Sequence, residues 1–531
     1  MSAIMSTFAQ YSPTEADTSG KMKTGTSIVF RLGSLLHGRL CALCLDLCLA
    51  SCLLPAVAQL RQFNPLVPDY LADPSISKFG DTYYLFGTTD IGRGLEQAGP
   101  PVVWTSKDFV NWSFEGSYLQ GIDWSQPYPY VTPSGETRTG YFRLWAPSRV
   151  TRHGQEYWLY ATLVRPEGKA ATYLLVARHP EGPYRFAQGE GLFPPGQERS
   201  DSPAVVPDID GEPFFDTDGQ GWLLWRRRNI ARLSPDGRSI VAGSQRTLYT
   251  LRGGYSEGPA MFRREGIYYY IYTQSGHQNY ANAYMMSWDS PQYGFDAPEA
   301  NDLFLFSSPA AGIWGPGHGN VFYEPDRDEY FFCYLEYGEG GTTRQVCVNR
   351  MDFDENGEII VMRPDRQGVG YLAPSRERRL NLALSASLTA SSRRDSRRVK
   401  VLMETRPDEP LEDSLSIREM SRVFDFGADK AADLSNATCW KADARDSLPW
   451  IMMDLGRVRK VREVQMAFTC PTGGHSWLLE KSRDGRHWKP CAVETRRAVR
   501  SPHRALRIGR TRYLRLTVTE GEGGLWEWKV Y

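Results

Sequence analysis

The sequence predicts an all-β protein: a five-bladed β-propeller followed by a second, smaller β domain. Two observations predict the propeller. Strand signals fill residues 60 to 378, with no long amphipathic helix among them. A hairpin with an aromatic second strand recurs there five times, about 50 to 75 residues apart.

The copies are FGDTYYLFG (Gly80, Tyr83, Tyr84), HGQEYWLYA (Gly154, Tyr157, Trp158), DGQGWLLW (Gly219, Trp222), REGIYYYIY (Gly266, Tyr268, Tyr269, Tyr270) and DRDEYFFCY (Tyr330, Phe331, Phe332). In the last, Asp-Arg-Asp replaces the glycine turn. The spacing leaves room for four strands per copy, and four-stranded units repeated around an axis make a propeller. A β-sandwich would not explain the recurrence.

Just before each hairpin stands a short motif: Asp73-Pro74, Trp145-Ala146-Pro147, Asp210-Gly211-Glu212-Pro213, Glu257-Gly258-Pro259 and Gly317-His318-Gly319. The first strand of each blade lines the axis, so the same slot of every repeat converges on one end of one channel. That slot brings together Asp73, Trp145, Asp210, Glu257 and His318. A single Asp before Pro is usually a turn-former, and Asp216 and Asp218 in FDTDGQG read as turn residues of that kind. Three carboxylates in register across repeats point instead to chemistry. Two carboxylates flanking a sugar suffice to hydrolyse a glycosidic bond, one protonating the leaving oxygen and the other activating water. A third can raise the acid's pKa and orient it.

The bulk composition agrees. Of 531 residues 12% are aromatic, and 62 basic residues balance 62 acidic ones. No net field draws the chain to nucleic acid.

LADPSI, IDGEPFFDTDG, SEGPAMFRREGIYYY and GPGHGNVF, in this order, resemble glycoside hydrolase family 43 over about residues 60 to 378. The resemblance implies a five-bladed propeller that inverts anomeric configuration, mostly on arabinose- and xylose-containing polysaccharides. It implies Asp73 as general base, Glu257 as general acid, Asp210 as the residue that tunes and orients the acid, and Trp145 as a wall of the sugar subsite. His318 falls where the family keeps a channel histidine beside a calcium or sodium ion. No cofactor is needed for the chemistry. Arg344, in TTRQVCV, is a candidate to reach substrate from the last blade. The chain departs from the family at Ile209-Asp210-Gly211-Glu212, where Ile-Asp-Pro-Ser or a close variant is usual. Asp208 and Glu212 therefore compete with Asp210 for its role. The Asn-Asp-Pro-Asn motif of retaining relatives is absent. The segment 111 to 140 is expected to wall the channel and favour action at chain ends.

Residues 1 to 58 read as an N-terminal extension with a signal peptide. From Met22 come cations (Lys23, Arg31, Arg39), an apolar run, then Ala56-Val57-Ala58. The rival readings are lipoprotein acylation at Cys52, in Leu-Ala-Ser-Cys, and an uncleaved anchor. Each places residues 59 to 378 and the following domain outside the cytoplasm, with membrane contact through a lipid or anchor only. Oligomeric state is left open.

Four of the nine cysteines lie in that leader. Cys333, Cys347, Cys439, Cys470 and Cys491 fit no zinc spacing. Cys333 and Cys347 flank Gly340 evenly and could face each other across a hairpin; two buried thiols is the favoured reading.

Residues 379 to 531 begin with NLALSASLTASS and a charged stretch, 393 to 422, expected to be a loop or insertion. AADLSNATCW, PWIMMDLG, LEKSRDGRHW and GLWEWKVY then resemble the coagulation factor V/VIII type C, or discoidin-like, domain, which implies a jelly-roll β-sandwich. Such modules bind glycans or pack on the catalytic domain. Trp477, Trp488, Trp526 and Trp528 mostly sit at strand positions that suit core packing. The functional expectation is a secreted glycosidase that removes arabinofuranosyl or xylosyl units. The alternatives are a β-galactosidase of the same fold and a non-catalytic carbohydrate-binding protein.

Overall fold

The computed structural model describes residues 62–531 except 93, 188–203, 275–279, 339–342, 376–378 and 404–417. Of 400–403 and 418–421 it describes the backbone alone. The segment read as a signal peptide, Cys52 and the turn around Gly340 lie outside the described residues.

Five antiparallel sheets follow one another along the chain. Their inner strands are Leu71–Phe79, Arg143–Trp145 with Thr151–His153, Glu212–Phe215, Ser256–Arg264 and Gly317–Glu324. Blades 1, 3 and 4 have four strands. In blade 2 the inner strand is split in two, and both parts pair with Glu156–Val164. Blade 5 has three, and the segment just before blade 1, at Asn64 and Leu66, closes it. Leu66 N–H donates to the Val346 carbonyl at 2.7 Å, and Asn64 exchanges hydrogen bonds with the backbone of Val348. This fastens the first blade to the last.

The aromatic strands are the second strands, and their rings fill the gaps between blades. Tyr83, Tyr160, Tyr269 and Tyr270 are fully buried. The turn reading of FDTDGQG holds: Gly219 N–H closes on the Asp216 carbonyl at 3.0 Å, and Asp218 accepts from Gln220.

Cys333 is paired with Val348 and Cys347 with Tyr334. That offset of one residue puts the two thiols on opposite faces of blade 5, in different core clusters. Both are buried and free.

Residues 111 to 140 do not form one wall. Trp112–Ser117 is the outer strand of blade 1, while Tyr128–Val131 and Thr137–Gly140 make a separate hairpin. That hairpin lies so close to blade 2 that a Cβ on Gly140 would sit 2.1 Å from the Pro166 carbonyl oxygen.

The second domain is a β-sandwich built on two long strands, Trp450–Phe468 and His503–Glu520. Both carry bulges that let one strand serve both layers. Trp440, Trp477 and Trp528 are in its core. Trp526 instead packs edge-on against Tyr70 of the propeller, and Trp488 lies beneath the Arg515 guanidinium. The charged stretch 393 to 422 is not a plain loop. Arg397–Met403 and Arg418–Phe424 pair as antiparallel strands.

Candidate active site

One backbone feature builds the site. At the mouth of the channel every blade has a residue with left-handed φ: Asp73 (49°), Ala146 (45°), Asp210 (65°), Gly258 (53°) and His318 (40°). Each is followed by Pro or Gly, and blades 1, 4 and 5 show a β-bulge there. Left-handed backbone favours Gly and tolerates Asp and His better than most residues. The five stations refine the sequence reading. Asp73, Asp210 and His318 occupy the station itself, whereas Trp145 and Glu257 stand one residue before it. The one-residue offset follows from the bulge, which turns consecutive side chains toward the axis.

A second regularity escaped the sequence reading. At three of the five stations the N–H is held by a threonine from the preceding blade's second strand. Ala146 donates to Thr88 at 2.8 Å, Asp210 to Thr162 at 3.0 Å and His318 to Thr273 at 2.7 Å. The signal was present in FGTTD, YATLV and YIYTQ, each with Thr late in an aromatic strand.

Around the axis the side chains converge. His318 Nδ1 lies 3.4 Å from Asp73 Oδ1 and 4.0 Å from Glu257 Oε1. Those two carboxylate oxygens are therefore no more than 7.4 Å apart, the sum of the two distances. Thr88 donates its hydroxyl to Asp73 Oδ2 at 2.6 Å. Arg344 approaches Asp73 Oδ1 at 3.5 Å while its Nε and Nη2 grip Asp90 at 2.9 and 3.0 Å. Arg344 is thus a buried support of Asp73 from blade 5, and not a free arm. Glu257 accepts hydrogen bonds from the hydroxyls of Tyr255 and Tyr280. Asp210 Oδ2 receives the Gly258 N–H at 3.4 Å. Trp145 is half-buried, with the Arg143 guanidinium 5.0 Å from its ring.

Electrostatics divides the carboxylates. Burial alone would push Asp73 up, but His318, Arg344 and the Thr88 hydroxyl together outweigh it and hold its pKa below the ordinary value. Asp210 is pushed up to about 7, by burial first and then by the charges of Glu257 and Asp73, against the pull of His318. Burial opposes charge on His318, but Asp73, Asp210 and Glu257 prevail and raise its pKa.

The competitors of Asp210 are engaged elsewhere. Asp208 pairs with Arg226 at 2.8 Å, and Glu212 faces Arg149 at 3.6 Å. Burial pushes Glu212 up to about 7. The Asp210-Gly211 departure also has a local cause. A Cβ at residue 211 would lie 2.3 Å from Cγ2 of Thr172, so Pro is excluded there.

Among the described residues no three His, Cys, Asp or Glu side chains are arranged to hold a metal ion. The Nδ1 of His318 is turned to the two carboxylates.

Five blades with this channel carry a sequence match over residues 63–359 to the glycosyl hydrolases family 43. The chain belongs to that family. It is a glycosidase, and residues 417–529 match the F5/8 type C domain. A solved glycoside hydrolase is 37% identical, covers 89% of this chain and 99% of its own, and superposes with a TM-score of 0.76. Among characterised family 43-like sequences, a β-D-galactofuranosidase of Aspergillus niger is 27% identical over 58% of this chain and 86% of its own. An extracellular endo-α-(1→5)-L-arabinanase of Thermotoga petrophila is 23% identical over 54% of this chain and 69% of its own.

Proposed function

We propose that this glycosidase is exported and removes terminal arabinofuranosyl or xylosyl units with inversion, Asp73 acting as general base and Glu257 as general acid. The observation that carries the reading is the pair of carboxylates on either side of His318. Asp73 is biased to the ionised form a base needs. Asp210, beside Glu257, is pushed up to about 7 by burial and by the charges of Glu257 and Asp73. The ceiling of 7.4 Å between the nearest carboxylate oxygens overlaps the roughly 6.5–9.5 Å expected for an inverting pair. Trp145 shapes the subsite, and Arg344 acts on the sugar through Asp73. The 128–140 hairpin over blade 2 favours action at chain ends.

A second reading, galactofuranosyl release, is favoured by the Aspergillus relative's activity. β-D-galactofuranose and α-L-arabinofuranose share ring configuration and differ in the exocyclic arm.

The test is a panel of p-nitrophenyl glycosides (α-L-arabinofuranoside, β-D-xyloside, β-D-galactofuranoside, β-D-galactopyranoside) with wild type and Glu257→Ala. Release from a pentoside, lost in the variant, supports the reading. Release from a galactoside alone replaces the sugar. Undiminished release by the variant rejects Glu257 as acid. Proton NMR of the first-formed anomer decides inversion.

A further inference from the structure

The sandwich domain shares a buried interface with the propeller. Lys441 Nζ donates to the Tyr70 hydroxyl at 2.9 Å, the Asn436 amide to the Pro65 carbonyl at 2.9 Å, and the Gln345 amide to the Asn436 carbonyl at 2.7 Å. Tyr70, Phe426, Cys439, Ala467 and Trp526 form one apolar cluster across it. One contact leads to the site. Arg422, on the strand Arg418–Phe424, donates to the Tyr337 carbonyl at 3.1 Å and stands 3.7 Å from Glu336.

Tyr337 ends the second strand of blade 5 on the channel face. Its backbone is caught from both sides, since its N–H also donates to the Trp314 carbonyl at 2.9 Å. Its buried ring meets Tyr280 edge-on at 5.5 Å between centroids, and the Tyr280 hydroxyl is bonded to Glu257. Tyr280 itself is seated through Gly317, where a Cβ would lie 2.5 Å from the Tyr280 Cβ.

We infer that Arg422 of the sandwich domain is a positioning residue for Glu257, acting through Tyr337 and Tyr280. The domain is then part of the catalytic apparatus and not only a tethered module. This rests on Glu257 being the general acid. Glu336 does not depend on Arg422 for its charge balance, because Arg366 also pairs with it, its Nη2 lying 3.0 Å from Glu336 Oε2. Loss of Arg422 therefore frees the Tyr337 carbonyl without stranding a buried carboxylate.

An acid matters in proportion to how poor the leaving group is, and this separates positioning from general loosening. Arg422→Lys and Arg422→Met are compared with wild type on the phenyl and 2,4-dinitrophenyl glycosides of the sugar the panel identifies. The expected result is a fall in kcat of about tenfold on the phenyl glycoside with KM little changed, and less than about twofold on the dinitrophenyl glycoside. Asn436→Ala, in the same interface but off this path, should show no such dependence on leaving group. Equal losses on both glycosides, or none on either, overturn the inference. If Arg422→Met does not fold, Arg422→Lys carries the test, with the thermal midpoint recorded for both. If Glu257→Ala keeps full activity on the phenyl glycoside, the acid assignment fails, and that is seen separately from any effect at Arg422.

Discussion

Asp73 in blade 1 and Asp210 in blade 3 occupy the same station of the repeat, with the same left-handed backbone and comparable burial; Thr88 donates to the Asp73 carboxylate, whereas Thr162 accepts the Asp210 N–H. Their chemistry is opposite. Asp73 is held below the ordinary carboxylate range by Arg344, His318 and Thr88, whereas Asp210 has no Arg or Lys partner among the described residues and rises to about 7. The repeat delivers a carboxylate to the axis, and the neighbouring blades decide whether it keeps its proton. Blade 5 supplies both cations: His318 lies between Asp73 and Glu257, while Arg344 stands beside Asp73. The fifth blade thus makes a repeated ring electrostatically asymmetric.

The comparison breaks most severely if the outer members of the set are dispensable. Asp73→Ala and Glu257→Ala are each expected to lower kcat by about 10²–10⁴-fold, the range of general acid–base contributions, measured on the glycoside that the wild type hydrolyses. A residual rate near wild type for Asp73→Ala would remove blade 1 from the mechanism.

The electrostatic half of the comparison is sharpened by stability. An acid whose folded pKa lies above its unfolded value makes no difference at pH below the unfolded pKa, where both states are protonated. It destabilises the fold increasingly as pH rises toward the folded pKa, because only the unfolded state ionises. For Asp210 that window runs from the ordinary 3.8 to about 7. Asp210→Asn should therefore stabilise the protein by a few kcal/mol (on the order of 1.4 per pKa unit) at pH 8 and leave it nearly unchanged at pH 3. Thermal melts at the two pH values check this. A midpoint shift equal at both would show that Asp210 carries no raised pKa.

The backbone half is tested at the stations that carry no chemistry. Gly258→Ala places a Cβ 2.8 Å from His318 Cγ and 2.9 Å from its Cα, and should cost about 2–4 kcal/mol by strain and overpacking. Ala146→Gly relieves left-handed strain but loosens the unfolded chain, so it should change stability by less than about 1 kcal/mol. Chemical denaturation of both variants measures the contrast.

Much of this was legible in the chain. The aromatic hairpin repeat located five blades, because second strands buried between blades must be apolar on both faces. The station motifs located Asp73, Asp210, Glu257 and His318, because a bulge needs Gly or Pro and leaves a local signature. What stayed hidden was relational. Arg344 was visible as a cation, but its commitment to Asp90 depends on how blades 5 and 1 meet. Tyr255 and Tyr280 look like any strand tyrosines until the fold brings their hydroxyls to Glu257. The strand pair Arg397–Met403 and Arg418–Phe424 was masked by charge, since segments rich in arginine read as polar sequence. The threonine clasp was written in the sequence and is recognisable only once the stations are aligned by their φ angles.

The account's central claim, that one repeat position has been split into a base and a proton-holding partner by the charges around it, is tested most directly by the pH dependence of kcat/KM. Wild type, Arg344→Met and Asp210→Asn are compared on the same p-nitrophenyl glycoside. Removing the cation beside Asp73 should raise the base's pKa and move only the acidic limb to higher pH. Asp210→Asn, which leaves Arg344 and Asp73 in place, should leave the acidic limb where it lies in wild type. Limbs that shift together in either variant, or that stay in place in both, would contradict the claim.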